Sequence, residues 1–418
     1  MAVNERRPRA PPRRWRHRRR AADRCGATVP RIRARLASVD VLRGAIMVLM
    51  ALDHVRDYVS RLHFPPEDLS RATVGLFATR WVTHFCAPGF SLLAGVGIGL
   101  AMQRGRLQRR SPPAGAMSRY LLVRGVWLIV LDLVVTPIGW RLGFDLVPAF
   151  ALVLWALGLS MIVMAALVHL PRTVVATGAV AMIALHNLLD GIKPGDLGVW
   201  APLWHVLHVP GFVVPGKLFV GYPLVPWVAV MALGWALAIV YEWEEARRRR
   251  FLVVAGLVVT ALFVVVRAWN GYGDPLPWSP QRTTGLTVAS FLNARKYPPS
   301  LDFLLMTLGP LLVALGLLER VRGRVASWLA TIGAVPLFFY VVHIFLAHLV
   351  AIAIAWVQGG APRRILAASA PETIPDWYGL PLPGVYAAWA VVVLAMYPLC
   401  RWFARLKRER DDWWLRYL

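Results

Sequence analysis

Apolar runs long enough to cross a bilayer recur along almost the whole of this 418-residue chain, from Val41 to Leu399. About 30 Å of hydrocarbon takes roughly 17–25 residues of helix. Backbone in lipid must satisfy its own hydrogen bonds, so runs of this kind fold as helices rather than open strands. The composition agrees: 58% of the residues are hydrophobic and 17% charged, with a mean hydropathy of +0.54. Soluble chains run at about 45–50% and about 25%. Two soluble domains, the reading that length alone would favour, would have too little polar surface to face water. The sequence predicts an all-α polytopic transmembrane helix bundle, an integral membrane protein.

About ten spans are expected, at about 41–59, 83–103, 120–138, 147–168, 173–187, 223–242, 251–268, 301–318, 333–357 and 384–402. An even number puts both termini on one side. On that side, the loops after the first span total 56 residues and carry 19 Lys and Arg; the opposite loops total 126 residues and carry 12. Basic residues near span ends favour the cytoplasm, so both termini are expected there. Arg247 to Arg250 form the strongest single anchor. The opposite loops 188–222 and 269–300 are rich in Gly, Pro, Trp and Tyr. Their Trp200, Trp204, Trp269 and Trp278, with Trp227 nearby, suit an interfacial aromatic belt or a carbohydrate platform.

The formal net charge of +25 would suit nucleic acid, but its distribution does not. Residues 1–37 hold 13 Arg against Glu5 and Asp23, so a large share of the charge lies in one Arg/Pro-rich tail. Residues 1–30 are expected to be a disordered cytoplasmic tail drawn to anionic lipid headgroups, not a signal peptide and not a nucleic-acid-binding arm. Residues 31–418 form the membrane domain. Three cysteines, Cys25, Cys86 and Cys400, make no disulfide framework. His205 and His208 are three apart, but two ligands do not make a metal site, and no metal is expected.

Ionisable side chains within spans are costly and therefore mark function. Asp40 and Arg43 lie on one helical face at the start of the first span. They form either a structural ion pair or, through Arg43, a contact for an anionic cofactor. At its other end stand Asp53, His54, Arg56 and Asp57. The second span opens on Arg80 and His84, at the same expected depth as His54, so the two histidines are expected to share a site. A histidine beside a carboxylate can exchange protons near neutral pH; a satisfied interfacial histidine is the competing reading. Gly95, Gly97 and Gly99 permit close helix approach. Tyr340 and His343 share a face in an otherwise apolar helix, and Lys296 precedes the span at 301–318. Walker A, GxSxG and HExxH motifs are absent from the sequence. A membrane-embedded His-based transfer, a transporter or flippase of a lipid-linked sugar or small anion, and a non-catalytic membrane protein remain.

The stretch from Arg35 through Ser38-Val39-Asp40-Val41-Leu42-Arg43-Gly44 to Leu52-Asp53-His54 resembles a bacterial membrane family related to the catalytic region of heparan-alpha-glucosaminide N-acetyltransferase. Further blocks resemble it at Thr79–Pro88, at Lys296-Tyr297-Pro298-Pro299-Ser300-Leu301, at Pro336–Tyr340 with His343, and at Trp413–Leu418, so that the likeness covers nearly all of 31–418. The resemblance implies acetyl transfer from cytosolic acetyl-CoA, as co-substrate, to a sugar amine or glycan on the far side. It implies catalysis by a histidine of the first non-cytoplasmic segment, where His63 and then His84 stand. The position of His54 aligns with Asn in the animal enzyme, which leaves His84, His54 and His63 as alternatives, with Asp53 and Arg80 beside them. Arg43, Arg119 and Arg124 are the candidates to meet the phosphates of the donor.

Overall fold

The computed structural model describes residues 29–107, 114–141, 144, 146–360, 375, 377–410 and 412–416. The expected tail, but for its last two residues, lies outside them. Helix α1 runs Val29–Val59. It is followed by α2 (Val74–Thr83) and α3 (Cys86–Leu107), then α4 (Ala114–Val130), which continues through a π-helical turn at Leu131–Val135 into α5 (Thr136–Arg141). Helices α6 (Val153–Leu167), α7 (Arg172–Leu185), α8 (Ala201–Leu207), α9 (Leu224–Leu237) and α10 (Glu245–Trp269) come next. The chain closes with α11 (Thr284–Leu292), α12 (Leu301–Leu318), α13 (Arg324–Gly333), α14 (Pro336–Val357) and α15 (Leu382–Glu409).

Among the described residues, eight helical runs are long and apolar enough to cross a membrane: Val74–Gly105, Gly115–Arg141, Arg172–Leu189, Leu224–Glu242, Glu245–Trp269, Leu301–Leu318, Pro336–Val357 and Leu382–Glu409. They coincide with eight of the expected segments. The other two segments are helices of a different character. The first lies in α1, which carries Asp40, Arg43, Asp53, Arg56 and Asp57 and so fails on charge rather than length. The fourth was expected to begin at 147; instead Ala149–Ala151 form a strand, β1, and α6 has only fifteen residues. The Asp132 carboxylate accepts the Leu152 and Trp155 amides at 2.6 and 3.1 Å and so sets where α6 starts.

The all-α expectation also omitted a small sheet of order β1-β3-β2, in which β3 (Leu218–Val220) pairs parallel with β1 and antiparallel with β2 (Gly211–Val214).

Small residues bring the helices together, as expected where lipid supplies no hydrophobic drive between them. A Cβ at Gly95 would overlap the Met231 carbonyl, and one at Gly234 the Leu92 carbonyl, so α3 and α9 touch backbone to backbone. Gly44 and Gly333 do the same between α1 and α13. Gly97, by contrast, meets nothing within 4 Å and faces open space. Buried Trp227 belongs to the core rather than to an interfacial belt, whereas Trp200 and Trp269 are exposed.

Two buried arginines tie the ends of the bundle. Arg248 of α10 forks onto Glu319 beyond α12. At the opposite end Arg267 donates to the carbonyls of Leu276, Ser290, Phe291 and Asn293, ordering the segment between α10 and α12. His186 to the Pro299 carbonyl (2.8 Å) and the Leu301 amide to Asn187 (2.8 Å) fix the end of that segment. This is what places Lys296 and Tyr297.

Candidate active site between two cavities

Helix α1 holds a charged cluster at each end. From Arg43 to His54 it climbs eleven residues, about 16 Å at 1.5 Å per residue. A cavity opens at each level.

The far-end cavity, of about 460 Å³, is lined by Asp53, His54, Arg56, Asp57, His63, Glu67, Arg80, Trp140, Tyr222, Lys296, Tyr297 and Tyr340, among others. Arg80 organises it. One guanidinium nitrogen meets both Asp53 oxygens at 2.8 and 2.7 Å, and Nε donates to Glu67 at 2.6 Å. Thr83 adds a bond to Asp53 at 3.0 Å, and Arg56 bridges Asp53 (2.8 Å) and Asp57 (2.7 Å). Asp53 therefore sits between two guanidinium groups and a hydroxyl. It is a fixed anion that holds α1 to α2, and its oxygens are already engaged.

His54 is different. Its Nδ1 lies 2.8 Å from His343 Nε2, and His343 Nδ1 lies 2.8 Å from the Phe339 carbonyl. A carbonyl can only accept, so His343 carries its proton on Nδ1. For neutral rings its Nε2 then accepts, and His54 must donate from Nδ1. The His54 Nε2 lone pair has no hydrogen-bond partner among the described residues, on a ring that lines the cavity. The edge of Trp140, with centroids 5.1 Å apart, and the near-coplanar His343 ring, which meets it edge to edge through that hydrogen bond, hold the imidazole in place.

The near-end cavity, of about 520 Å³, is lined by Arg43, Arg104, Arg124 and Lys407 and by apolar side chains including Met47, Leu93, Leu121 and Leu157, with Gly97 in its wall. Arg43 is held by Asp40 (3.0 Å) and the Gly333 carbonyl (3.1 Å). Val153 and Tyr340 line both cavities, so the two adjoin inside the bundle.

The structure thus brings Asp53, His54, His63, Arg80, Lys296 and Tyr340 to one cavity and Arg43 and Arg124 to the other. Arg119 is exposed on α4 and lines neither. Nor does His84. It is 1% exposed, both its ring nitrogens lack a hydrogen-bond partner among the described residues, and its ring packs on Phe303 at 5.4 Å. Arg80 and Thr83 of the same turn face Asp53; a step of one residue turns the side chain by about 100°, and His84 is directed at α12 instead. The shared site expected for His54 and His84 is therefore not formed: the partner of His54 is His343.

Sequence reasoning missed that pairing, along with Arg104, Lys407, Glu67 and Trp140. Arg104 and Lys407 were visible only as loop charges that orient the chain. His205 bonds the Val209 carbonyl and His208 bonds Asp190, both at 2.9 Å. Among the described residues no three His, Cys, Asp or Glu cluster as metal ligands. Cys86 and Cys400 are buried free thiols.

These features define an integral membrane helix bundle with a polar site at each end of one charged helix. The chain belongs to the family described as heparan-alpha-glucosaminide N-acetyltransferase, catalytic, whose profile matches residues 35–268. It is a membrane acetyltransferase-like protein. The Lys296 and Pro336–His343 blocks lie beyond the matched range. No curated protein matches the chain.

Proposed function

We propose that the protein moves an acetyl group across the bacterial inner membrane, from acetyl-CoA on the cytoplasmic side to an amino sugar or glycan on the other, with His54 as the base. The observation that carries this reading is the His54–His343 pair, which leaves Nε2 of a cavity-lining imidazole without a hydrogen-bond partner among the described residues, beside a second, basic cavity. The near end is taken as cytoplasmic from the loop charge bias. There Arg43, Arg104, Arg124 and Lys407 would meet the donor's phosphates, and Met47, Leu93, Leu121 and Leu157 would flank its apolar arm. Acetyl-CoA supplies an activated thioester.

The residues of the chain supply the proton chemistry. As the acceptor amine attacks the thioester carbonyl, the C–N bond forms, the C–S bond breaks and coenzyme A leaves as its thiolate; the amine's proton would go to His54 Nε2 and then to solvent or the thiolate. The resulting imidazolium keeps its Nδ1 bond to His343, which passes polarisation on to the Phe339 carbonyl. Asp53, beside it in sequence and pinned by Arg56 and Arg80, supplies a fixed negative field. His63 lines the same cavity from the segment after α1 and is the second candidate.

The test uses sealed proteoliposomes, with labelled acetyl-CoA on one face and glucosamine on the other. Acetylated glucosamine should form across the membrane, and His54→Ala should lower the rate about 10²–10⁴-fold. Failure of the purified protein to bind acetyl-CoA at millimolar concentration would overturn the reading. Passage of glucosamine without acetylation would replace it with transport.

A further inference from the structure

Resting on the acetyl-transfer reading, we propose that Lys296 receives an anionic group, a phosphate or a carboxylate, carried by the acceptor, so that the far-end cavity is built for a charged amino sugar rather than a neutral one. Three carboxylates and three cations line this cavity, and their pairing is uneven. Asp53 and Glu67 are held by Arg80, and Asp53 and Asp57 by Arg56. Every carboxylate is engaged by an arginine.

Lys296 is only 8% exposed, yet among the described residues no carboxylate lies within the 4 Å of an ion pair from its ammonium. Its neighbours are the rings of Tyr297 and Tyr222, with Nζ at 5.1 and 5.9 Å from the centroids. The two hydroxyls meet at 3.1 Å. A buried cation without a counter-charge is strongly unfavourable unless something that binds there completes the pair. The aromatic faces offset part of that cost. Both rings also line the cavity beside Nζ, in edge-to-face contact with each other at 5.1 Å, so a sugar whose anion reaches Nζ would lie against them. The site is held in place from outside the cavity, since Arg267 and the Pro299 and Leu301 contacts order this segment.

The experiment compares three acceptors that share the reacting amine: glucosamine, glucosamine 1-phosphate, and a uronate-linked glucosamine disaccharide. Binding to the purified full chain is read by thermal shift and calorimetry, and transfer by kcat/KM. The wild type should favour at least one anionic acceptor over glucosamine by about 10- to 100-fold, the worth of one charged hydrogen-bonded contact. Preference for the phosphate or for the uronate identifies the group. Lys296→Gln should collapse the ratio towards one, and Lys296→Arg should restore most of it.

Equal use of neutral and anionic acceptors by the wild type would overturn the proposal while leaving acetyl transfer intact. Lys296-dependent anion binding without any transfer would support the subsite and refute the acetyl-transfer reading. If Lys296→Gln does not fold, a wild-type ratio that is insensitive to salt would overturn it. So would a tyrosinate absorbance at neutral pH that disappears in Tyr297→Phe, because the counter-ion would then be internal.

Discussion

Replacing His343 with Phe tests whether the two histidines act as a unit. Phe keeps a ring of similar size against Phe339, with which the His343 ring stacks at 5.3 Å, but removes the atom that accepts from His54. His54 Nδ1 then has no partner, and the ring loses its reason to prefer the tautomer with a free Nε2. An unsatisfied buried donor costs about 1–3 kcal/mol, so turnover should fall roughly 5- to 150-fold. His54→Ala removes the base itself and should cost about 10²–10⁴-fold. Because His343 works only through His54, the double variant should be no slower than His54→Ala alone. The assay is acetyl transfer at saturating donor, normalised to folded protein, together with ¹⁵N spectra of labelled histidine. These should show a protonated Nδ1 on His54 in the wild type and a tautomer mixture in His343→Phe. Multiplying losses in the double variant, or an unchanged tautomer signal, would refute the relay.

Arg80→Ala should be more damaging to folding than to binding: it leaves the buried Asp53 with a single guanidinium partner and strands Glu67, at about 3–5 kcal/mol, read as a lowered detergent melting temperature. Gly95→Leu should destabilise by about 1–3 kcal/mol or more because α3 and α9 touch there, whereas Gly97→Ala, with open space beside it, should melt like the wild type. Asp190 is partly buried, which raises its pKa, but bonds from His208 (2.9 Å) and Asn187 (2.7 Å) hold the carboxyl below its ordinary value. A depressed carboxyl stabilises above its unfolded pKa and loses that contribution as pH falls through the folded one. Asp190→Ala should therefore lose about 1–3 kcal/mol near neutral pH, with the gap to wild type closing below about pH 4. Reporter fusions in loops 188–222 and 269–300 should report the non-cytoplasmic side; a cytoplasmic report from either would reverse the assignment of donor and acceptor cavities.

The amino-acid sequence determined the class of this protein, because burial in lipid is written locally: an apolar run of sufficient length is a membrane helix whatever its neighbours do. Eight expected segments and the glycines of α3 were legible for that reason. So were the contacts within one turn, such as Asp40 with Arg43 and Asp53 with Arg56, since helical geometry alone brings them together. The start of α6 was not legible, because it is set by Asp132, some twenty residues upstream, and by a strand that pairs with β3. The site divides in the same way. That Asp53, His54 and Arg80 belong together followed from ionisable groups in an apolar chain. That His54 finds His343 across 289 residues, that His84 turns away to Phe303, and that Lys296 has no carboxylate at ion-pair distance among the described residues did not. These depend on which faces of α1, α2, α12 and α14 meet. Among helices that are apolar nearly all round, facing is decided by close packing of small residues and by a few buried ion pairs, and both arise only when the whole bundle is assembled.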